Sequence, residues 1–418
     1  MTKFCKIKLD GCIKTMTELE SPSLNSDSKT SNLLDVYRYM LLSRAGDLME
    51  AELVNSGEAN FLASSKGHEG AAILAPFIQP QDFLHCHYRD KALMLARGIS
   101  SEMFFLSALC KAESHSHGRQ MVSHMSAPEH NIMSIVGPVG NSALQAAGVA
   151  MTLKNEKKNA FVLCAIGDGT TQQGEVLEAI SEAKRSSLPV LFFIHDNGLA
   201  ISTRTEGKTF FSLPNGKKAQ SFYDLPITYL DGTKPFEEVD KLESIVSNIR
   251  KTQTSQIVIF KINRLDNHSN ADNQKLYRNN DEITQSYSDD PLIHAKNYLL
   301  KLGVSKDELD SLEKNAKAEV QKAVDKARKG TEPKACYDAE RPLIKELQSN
   351  APEYRGDFTS IERLTMLEAM RETFRHHLAN NQNVCLLGED IEDGKGDVFG
   401  ITKGLSTQFP GRVLNSAL

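Results

Sequence analysis

The sequence predicts an α/β fold built on a doubly wound parallel sheet, and three observations carry that reading. Two short apolar runs, 160–166 (AFVLCAI) and 190–194 (VLFFI), have the length and β-branched or aromatic content of buried strands. Between them, 174–187 (GEVLEAISEAKRSS) has the amphipathic period of a helix, and a helical crossover makes the flanking strands parallel. The same alternation of helical and strand-like runs extends from the turn-rich block 64–72 (SSKGHEGAA) to a last strand at 256–262 (QIVIFKI).

In chain order, residues 1–32 read as a loosely ordered leader. They carry lysines together with Asp10, Glu18 and Glu20, and have neither the apolar core of a secretory signal nor the arginines of a transit peptide. The α/β domain spans 33–290. It opens with a helical region, about 33–63, and includes a small-residue helix from Ser142 (SALQAAGVAMTL). Residues 291–330 read as a helical extension. Ser305-Lys306-Asp307-Glu308 has the form of a capping box, Leu309, Leu312, Ala316, Val320, Ala323 and Ala327 share one face, and Gly330 is the expected stop. The polar stretch 331–358, with Pro333, Pro342, Pro352 and Gly356, reads as a linker. From 359 to 418 a second α/β domain begins, with a helix at 364–378 and a strand at 384–387 (VCLL).

Bulk properties narrow the function classes. A chain of 418 residues can hold two or three domains. A net charge of −5 gives no reason to expect nucleic acid or an anionic membrane surface as partner. No apolar stretch approaches the roughly 20 residues of a membrane span. The seven cysteines are scattered, with no CxxC pair, and read as reduced thiols of a cytoplasmic protein.

The candidate chemistry lies at the strand ends. Gly167-Asp168-Gly169 closes the first apolar run, and Asn197 follows the second, 29 positions after Asp168. Parallel strands end on the same sheet edge, where open α/β sheets bind ligands, so Asp168 and Asn197 are expected side by side. A carboxylate and an amide oxygen are hard ligands suited to Mg²⁺ or Ca²⁺. Gly169 and Thr170 precede a helix N-terminus, whose N–H groups attract phosphate. Taken alone, Gly-Asp-Gly is also a common turn.

The longer segment GDGTTQQGEVLEAISEAKRSSLPVLFFIHDNGLAIST resembles the thiamine diphosphate signature of the 2-oxo acid dehydrogenases. Its AIST end is similar to branched-chain members of the decarboxylating first component. The resemblance implies a thiamine diphosphate-binding type of α/β domain, with Mg²⁺ held by Asp168, Asn197 and the backbone carbonyl of Leu199. Tyr88-Arg89, in FLHCHYRDKALMLARG, is similar to the family's cofactor-binding pair, where arginine's planar fork suits diphosphate. Without that context Arg89 reads as a surface residue paired to Asp90 or Glu69. Gly67, Glu69 and Gly70 match a structural turn. Gly137-Pro138-Val139-Gly140 resembles the loop that touches the aminopyrimidine, with Val139 as the apolar wedge. His268, in DNHSNADNQKLYR, matches a histidine that contacts the cofactor and assists acyl transfer; outside that context it is an exposed loop histidine.

Departures accompany the match. Asn267 and Asn273 replace a histidine and an aspartate of the acyl-transfer loop, which puts its order in doubt, although Asp272 survives. Asp196 replaces the first of two paired asparagines, and His195 stands where branched-chain members carry a diphosphate-contacting arginine. A carboxylate near the diphosphate is repelled unless it faces away or pairs with a cation. His85/His87 and His115/His117 suggest zinc, but neither pair has a suitable second pair of ligands.

GEDIEDGKGDVFGITKGLSTQFPGRVLNSAL is similar to the opening of the family's β-type, pyrimidine-binding subunit. The resemblance therefore covers about 33–418, an α–β fusion with the β part incomplete, in which the glutamate that activates the cofactor is not assignable. It implies oxidative decarboxylation of a 2-oxo acid, with branched-chain acids favoured, and acyl transfer to the lipoyl arm of an acyltransferase. A homo-oligomer or an α/β-type assembly is expected. Two alternatives stay open: a pyruvate-, acetoin- or transketolase-type thiamine enzyme, and a non-catalytic homologue acting as a scaffold.

Overall fold

The computed structural model describes residues 26–334 and 363–415, apart from 389, 390, 394, 395 and 398. Most of the expected leader and linker, including Pro342, Pro352 and Gly356, and three of the cysteines (Cys5, Cys12 and Cys336) lie outside the described residues.

The main sheet has six strands. In chain order the strands are β1 (Phe83–His85), β2 (Val162–Gly167), β3 (Val190–Asp196), the short hairpin pair β4 (Leu199–Ala200) and β5 (Thr203–Arg204), β6 (Ser221–Phe222), β7 (Leu225–Asp231) and β8 (Gln256–Lys261). The sheet order is β1-β2-β3-β8-β7-β6, parallel throughout except for the β6–β7 hairpin. The helices are α1 (Ser26–Asn55), α2 (Lys91–Arg97), α3 (Ser101–Ala108), α4 (Asn141–Asn155), α5 (Gly174–Arg185), α6 (Val239–Thr252), α7 (Asn280–Ser288), α8 (Pro291–Lys301) and α9 (Lys306–Ala327). The first helix begins at Ser26, earlier than the expected start near Leu33, and ends at Asn55; a 3₁₀ stretch, Glu69–Phe77, follows the turn-rich block.

Strand alternation sorts the core into two layers. Val162, Cys164 and Ile166 of β2, with Val190, Phe192 and Ile194 of β3, pack under α4 and α5. Leu163 and Ala165, with Leu191 and Phe193, face the other way, toward α1, α2, α6 and α9. Each such aliphatic or aromatic side chain contributes about 1.5–3 kcal/mol relative to an exposed one. On α4 the buried face is Ala143, Ala146, Ala147 and Ala150, so that helix lies close against the sheet. The α9 face runs as its spacing predicts, with Leu309, Ala316, Val320, Ala323 and Ala327 buried and Ser305 Oγ accepting from Glu308 N at 3.2 Å.

Residues 363–415 form a small unit with its own core of Leu378, Leu405 and Val413. Helix α10 (Met366–Asn380) starts behind a reciprocal Thr365–Glu368 capping box. Strands β9 (Leu386–Gly388) and β10 (Val413–Asn415) pair in parallel. The run expected as a strand from residue 384 therefore pairs only from Leu386 onward.

The turn containing Gly67 fixes the edge on which the site is built. Gly67 has φ +93°, and a Cβ there would lie 1.7 Å from Asn263 O. Glu69 is fully buried, accepts from Gly67 N at 2.7 Å and pairs with Arg44, which also reaches Asp290. Gly67→Ala combines a left-handed backbone with a backbone clash, and is expected to destabilise the chain by about 2 kcal/mol or more. Urea denaturation should show a lowered midpoint, and an unchanged midpoint would remove the turn from its structural role.

Candidate functional site

The β2–β3 ladder decides the geometry. Gly167 pairs with His195, and Asp168 N continues the ladder by donating to His195 O at 3.0 Å. Asp168 and Asn197 therefore leave neighbouring strands at their carboxyl ends and line one cavity of about 390 Å³. The same cavity is lined by Tyr88, Arg89, Gly137, Val139, Gly169, Thr170, Leu199 and His268. The residues that the resemblance assigned to cofactor, metal and catalysis thus line one cavity.

At the floor, Asp168 is 2 % exposed; its carboxyl accepts from Gly169 N at 2.9 Å and Thr205 Oγ1 at 2.8 Å, and the Asp196 carboxyl lies against it. Burial pushes its carboxyl upward. Asn197 Oδ1 accepts from Leu199 N at 3.0 Å, which folds the amide back over the turn. The Asp168 carboxylate, the Asn197 amide and the Leu199 carbonyl are hard oxygen donors around a buried anion that has no protein cation beside it, a set that suits Mg²⁺. Among the described residues no group of three or more His, Cys, Asp or Glu side chains is placed to hold a metal ion, and the Asp168 set is of another composition. Of the histidine pairs weighed for zinc, His115 Nε2 is 2.7 Å from Gln120 Oε1 and His117 Nδ1 is 2.7 Å from Ala112 O.

The opposite wall is cationic. Arg89 is 1 % exposed and pairs with neither Asp90 nor Glu69. Its guanidinium donates to Ser64 O and, at 2.7 Å, to His268 O, and stacks 4.9 Å over the Tyr88 ring. Arg264, which no motif flagged, also lines the cavity; it donates to Ile201 O and Tyr277 OH while its buried Nε has no partner. Two buried guanidinium groups, one with an unsatisfied donor, suit a diphosphate; the helix that follows Gly169 and Thr170 starts only at Gly174, outside the cavity lining, behind a short 3₁₀ turn. The thiamine diphosphate and Mg²⁺ expected from the sequence therefore fit the donor set.

His268 rests on an ordered loop. Asp272 Oδ2 accepts from His268 N at 2.7 Å and from the Tyr277 hydroxyl. The two asparagines that put this loop in doubt both serve it: Asn267 Oδ1 accepts from Gln274 N at 3.0 Å, and Asn273 Oδ1 from Lys275 N at 3.2 Å. Arg278 donates to Arg264 O and Glu282, and Glu282 also takes Arg204 next to Thr205, so the loop and the Asp168 floor belong to one network. Burial, and then Arg89, push His268 down to about 4. Its Nδ1 faces an arginine N–H at 3.4 Å, which assigns the ring proton to Nε2.

The fold places the two departures at the cofactor motif. His195 does not take the place of a diphosphate-contacting arginine: it is fully buried, outside the cavity lining, stacked with His68 and His87 at 5.5 and 5.3 Å, with Nε2 3.1 Å from Asp90 Oδ1. Alternation along β3 sends it to the same side as Phe193. Asp196 faces away from the cavity and meets Asp168 behind the floor; burial and the Asp168 carboxyl push it up to about 6. His87, weighed in the sequence only as half of a zinc pair, lines the cavity beside Tyr88; its place directly before the Tyr88-Arg89 pair was the available signal.

The sequence pattern of the family described as "Dehydrogenase E1 component" matches residues 37–336. The chain is 29% identical over 280 residues to the 2-oxoisovalerate dehydrogenase subunit alpha of Bacillus subtilis (strain 168), covering 66% of this chain and 84% of that protein. It is 28% identical to the mitochondrial 2-oxoisovalerate dehydrogenase subunit alpha of Caenorhabditis elegans, over 68% of this chain and 65% of that protein. It is 29% identical to the pyruvate dehydrogenase E1 component subunit alpha of Zymomonas mobilis, over 72% of this chain and 85% of that protein.

The imidazoles in and beneath the site are expected to set a pH dependence. Burial pushes His85 down to about 4, and burial, ahead of neighbouring charges, takes His68 and His87 well below the ordinary range. Unfolded histidines protonate near 6.5, so the unfolded state binds more protons as pH falls through the window from about 6.5 to 4, and stability is lost there. Asp196, raised to about 6, gives the opposite slope from about 4 to 6, and the Asp168, Glu50 and Glu69 carboxyls, also pushed up by burial, act in the same sense and offset part of it. Urea midpoints should fall from pH 7 to pH 5, and His85→Gln should flatten that slope; an unaltered slope would remove His85 from the effect.

Proposed function

We propose that this chain, which belongs to the dehydrogenase E1 component family, binds thiamine diphosphate with Mg²⁺ in the cavity and decarboxylates a 2-oxo acid, with branched-chain acids favoured. The acyl group passes to the lipoyl arm of an acyltransferase in a cytoplasmic 2-oxo acid dehydrogenase assembly. The observation that carries this reading is the meeting of Asp168, Asn197 and Leu199 with Arg89, Arg264 and His268 around one cavity.

When bound, thiamine diphosphate supplies the carbanion chemistry that releases carbon dioxide. The chain's residues do the rest. Asp168, Asn197 and the Leu199 carbonyl hold the cation, and burial of Asp168 makes that charge pairing strong. Arg89 and Arg264 neutralise the diphosphate, and their own tethers to Ser64 O, His268 O, Ile201 O and Tyr277 keep them in place. Val139, 53 % exposed on the loop before α4, offers an apolar surface to the cofactor's rings. His268 is neutral above about pH 4 and presents Nε2–H as a donor toward an acyl oxygen or a sulfur.

Names among the relatives support two substrate readings. Two of the relatives above carry 2-oxoisovalerate in their names, and a third carries pyruvate at the same level of identity. The scaffold reading drew on Asp196 and His195, and both lie outside the cavity lining.

Calorimetric titration of thiamine diphosphate in the presence of Mg²⁺ should show binding, and Asp168→Ala should weaken it by about 1.5–3 kcal/mol, the range for contacts to a charged group. Equal affinity for both chains would overturn the assignment of the cation site. For substrate, kcat/KM with the β-type half present is expected to favour 2-oxoisovalerate over pyruvate by about tenfold or more, which is about 1.4 kcal/mol of transition-state preference. A tenfold preference for pyruvate would replace the branched-chain reading with the pyruvate one.

A further inference from the structure

Behind the cationic wall the chain buries a second group of charges that the proposed chemistry does not use. Lys91, the first residue of α2, is 1 % exposed, and its Nζ lies 2.6 Å from Asp47 Oδ1 and 2.8 Å from Glu50 Oε1 on α1. Neither carboxylate is more than 1 % exposed. The Glu50 contact is an ion pair by distance only, out of hydrogen-bond alignment, so Asp47 is the principal acceptor for the lysine. Placing an ammonium and two carboxylates out of water is costly, and hydrophobic side chains of the same volume would often fill such a space at no loss of stability.

What the group touches explains its place. Asp47 Oδ2, the oxygen turned away from Lys91, accepts from Ser65 N and, at 3.2 Å, from Ser64 Oγ. Ser64 O is the acceptor for Arg89 Nη1. Arg89 stands two residues before Lys91. A closed ring results, running from the Arg89 guanidinium to the Ser64 carbonyl, through Asp47 to Lys91 Nζ, and back along the chain to Arg89. On the flank between them Asp90 accepts from His87 N at 2.8 Å and lies beside His195, so the turn carrying Tyr88 and Arg89 is fixed at its base as well. Both ends of the arginine, backbone and guanidinium, are referred to the same α1 carboxylate.

We infer that Asp47, held by Lys91, is a positioning residue for Arg89 and sets the affinity of the cavity for a diphosphate. The inference rests on the cofactor reading above. Asparagine at position 47 has one oxygen acceptor where aspartate has two, so it cannot serve both Lys91 and the Ser64 hydroxyl with Ser65 N. It also leaves Lys91 and Glu50 as a neutral pair, which favours survival of the fold.

The test is a double-mutant cycle on the whole chain, with thiamine diphosphate and Mg²⁺ titrated calorimetrically into the unsubstituted chain, D47N, R89K and the double variant, and with melting curves run alongside. R89K keeps the charge, loses the fork and should bind about tenfold more weakly. D47N should bind about five- to tenfold more weakly alone, yet change the affinity of R89K by less than about twofold, because its effect travels through the arginine. A merely structural Asp47 would lower the melting temperature and weaken both backgrounds by the same factor, which would overturn the inference, as would unchanged affinity in D47N alone. If D47N does not fold, Lys91→Met, which keeps the stem and removes the charge, should show the same loss of effect in the R89K background, and unaltered affinity there in the native-arginine background overturns the inference. Absence of binding by the unsubstituted chain would overturn the cofactor reading and this inference together, whereas normal binding with an additive cycle would overturn this inference alone.

Discussion

The in-register parallel pairing of β2 with β3 is the constraint on which the site depends. Gly167 opposite His195 sets where both strands stop, and a slip of one residue would turn the alternating apolar set of each strand to the wrong layer. The core therefore holds the register, and the register holds Asp168 next to Asn197. The ligand-facing residues themselves contribute little to this. They stand where the ladder ends.

Around that edge the protein keeps charge buried and unneutralised in a directed way. Asp168 has no protein cation beside it, only neutral donors and the Asp196 carboxyl, and Arg89 donates to carbonyls where a carboxylate would have quenched it. Each group is held in place by partners that leave its charge intact, which is how a low-dielectric cavity comes to favour an outside cation at one end and an outside anion at the other. Charges that do neutralise one another, such as Arg44 with Glu69 and Asp290, lie outside the cavity lining and tie α1 to α8 and to the Gly67 turn.

Much of this was legible in the sequence, for identifiable reasons. A strand–helix–strand period is a local signal, so Asp168 and Asn197 were found by spacing, and the longer motif carried Leu199, Tyr88, Val139 and His268. Arg264 was not found, because a single arginine leaving a strand has no partner at a diagnostic distance; its function comes from Tyr277 and Ile201, which the fold brings to it. His195 and Asp196 were flagged by position in a motif, which left open which way each side chain points. The period of β3 already sends them away: His195 shares a face with Leu191 and Phe193, and Asp196 with Phe192 and Ile194. The two asparagines of the His268 loop were weighed as losses of charge, whereas in the fold they work as backbone acceptors. The boundaries of 363–415 moved because Thr365 caps α10 and because pairing with β10 defines where β9 begins.

The link from Thr205 and Arg204 through Glu282 and Arg278 to Arg264 joins the floor of the cavity to the loop at its mouth. Residues separated by more than a hundred positions in the chain thus share one set of hydrogen bonds. Order in such a set is collective: freeing any one member deprives the next of its partner, so the amides of 198–205 and 264–282 are expected to open and exchange with solvent together, ahead of the strands behind them.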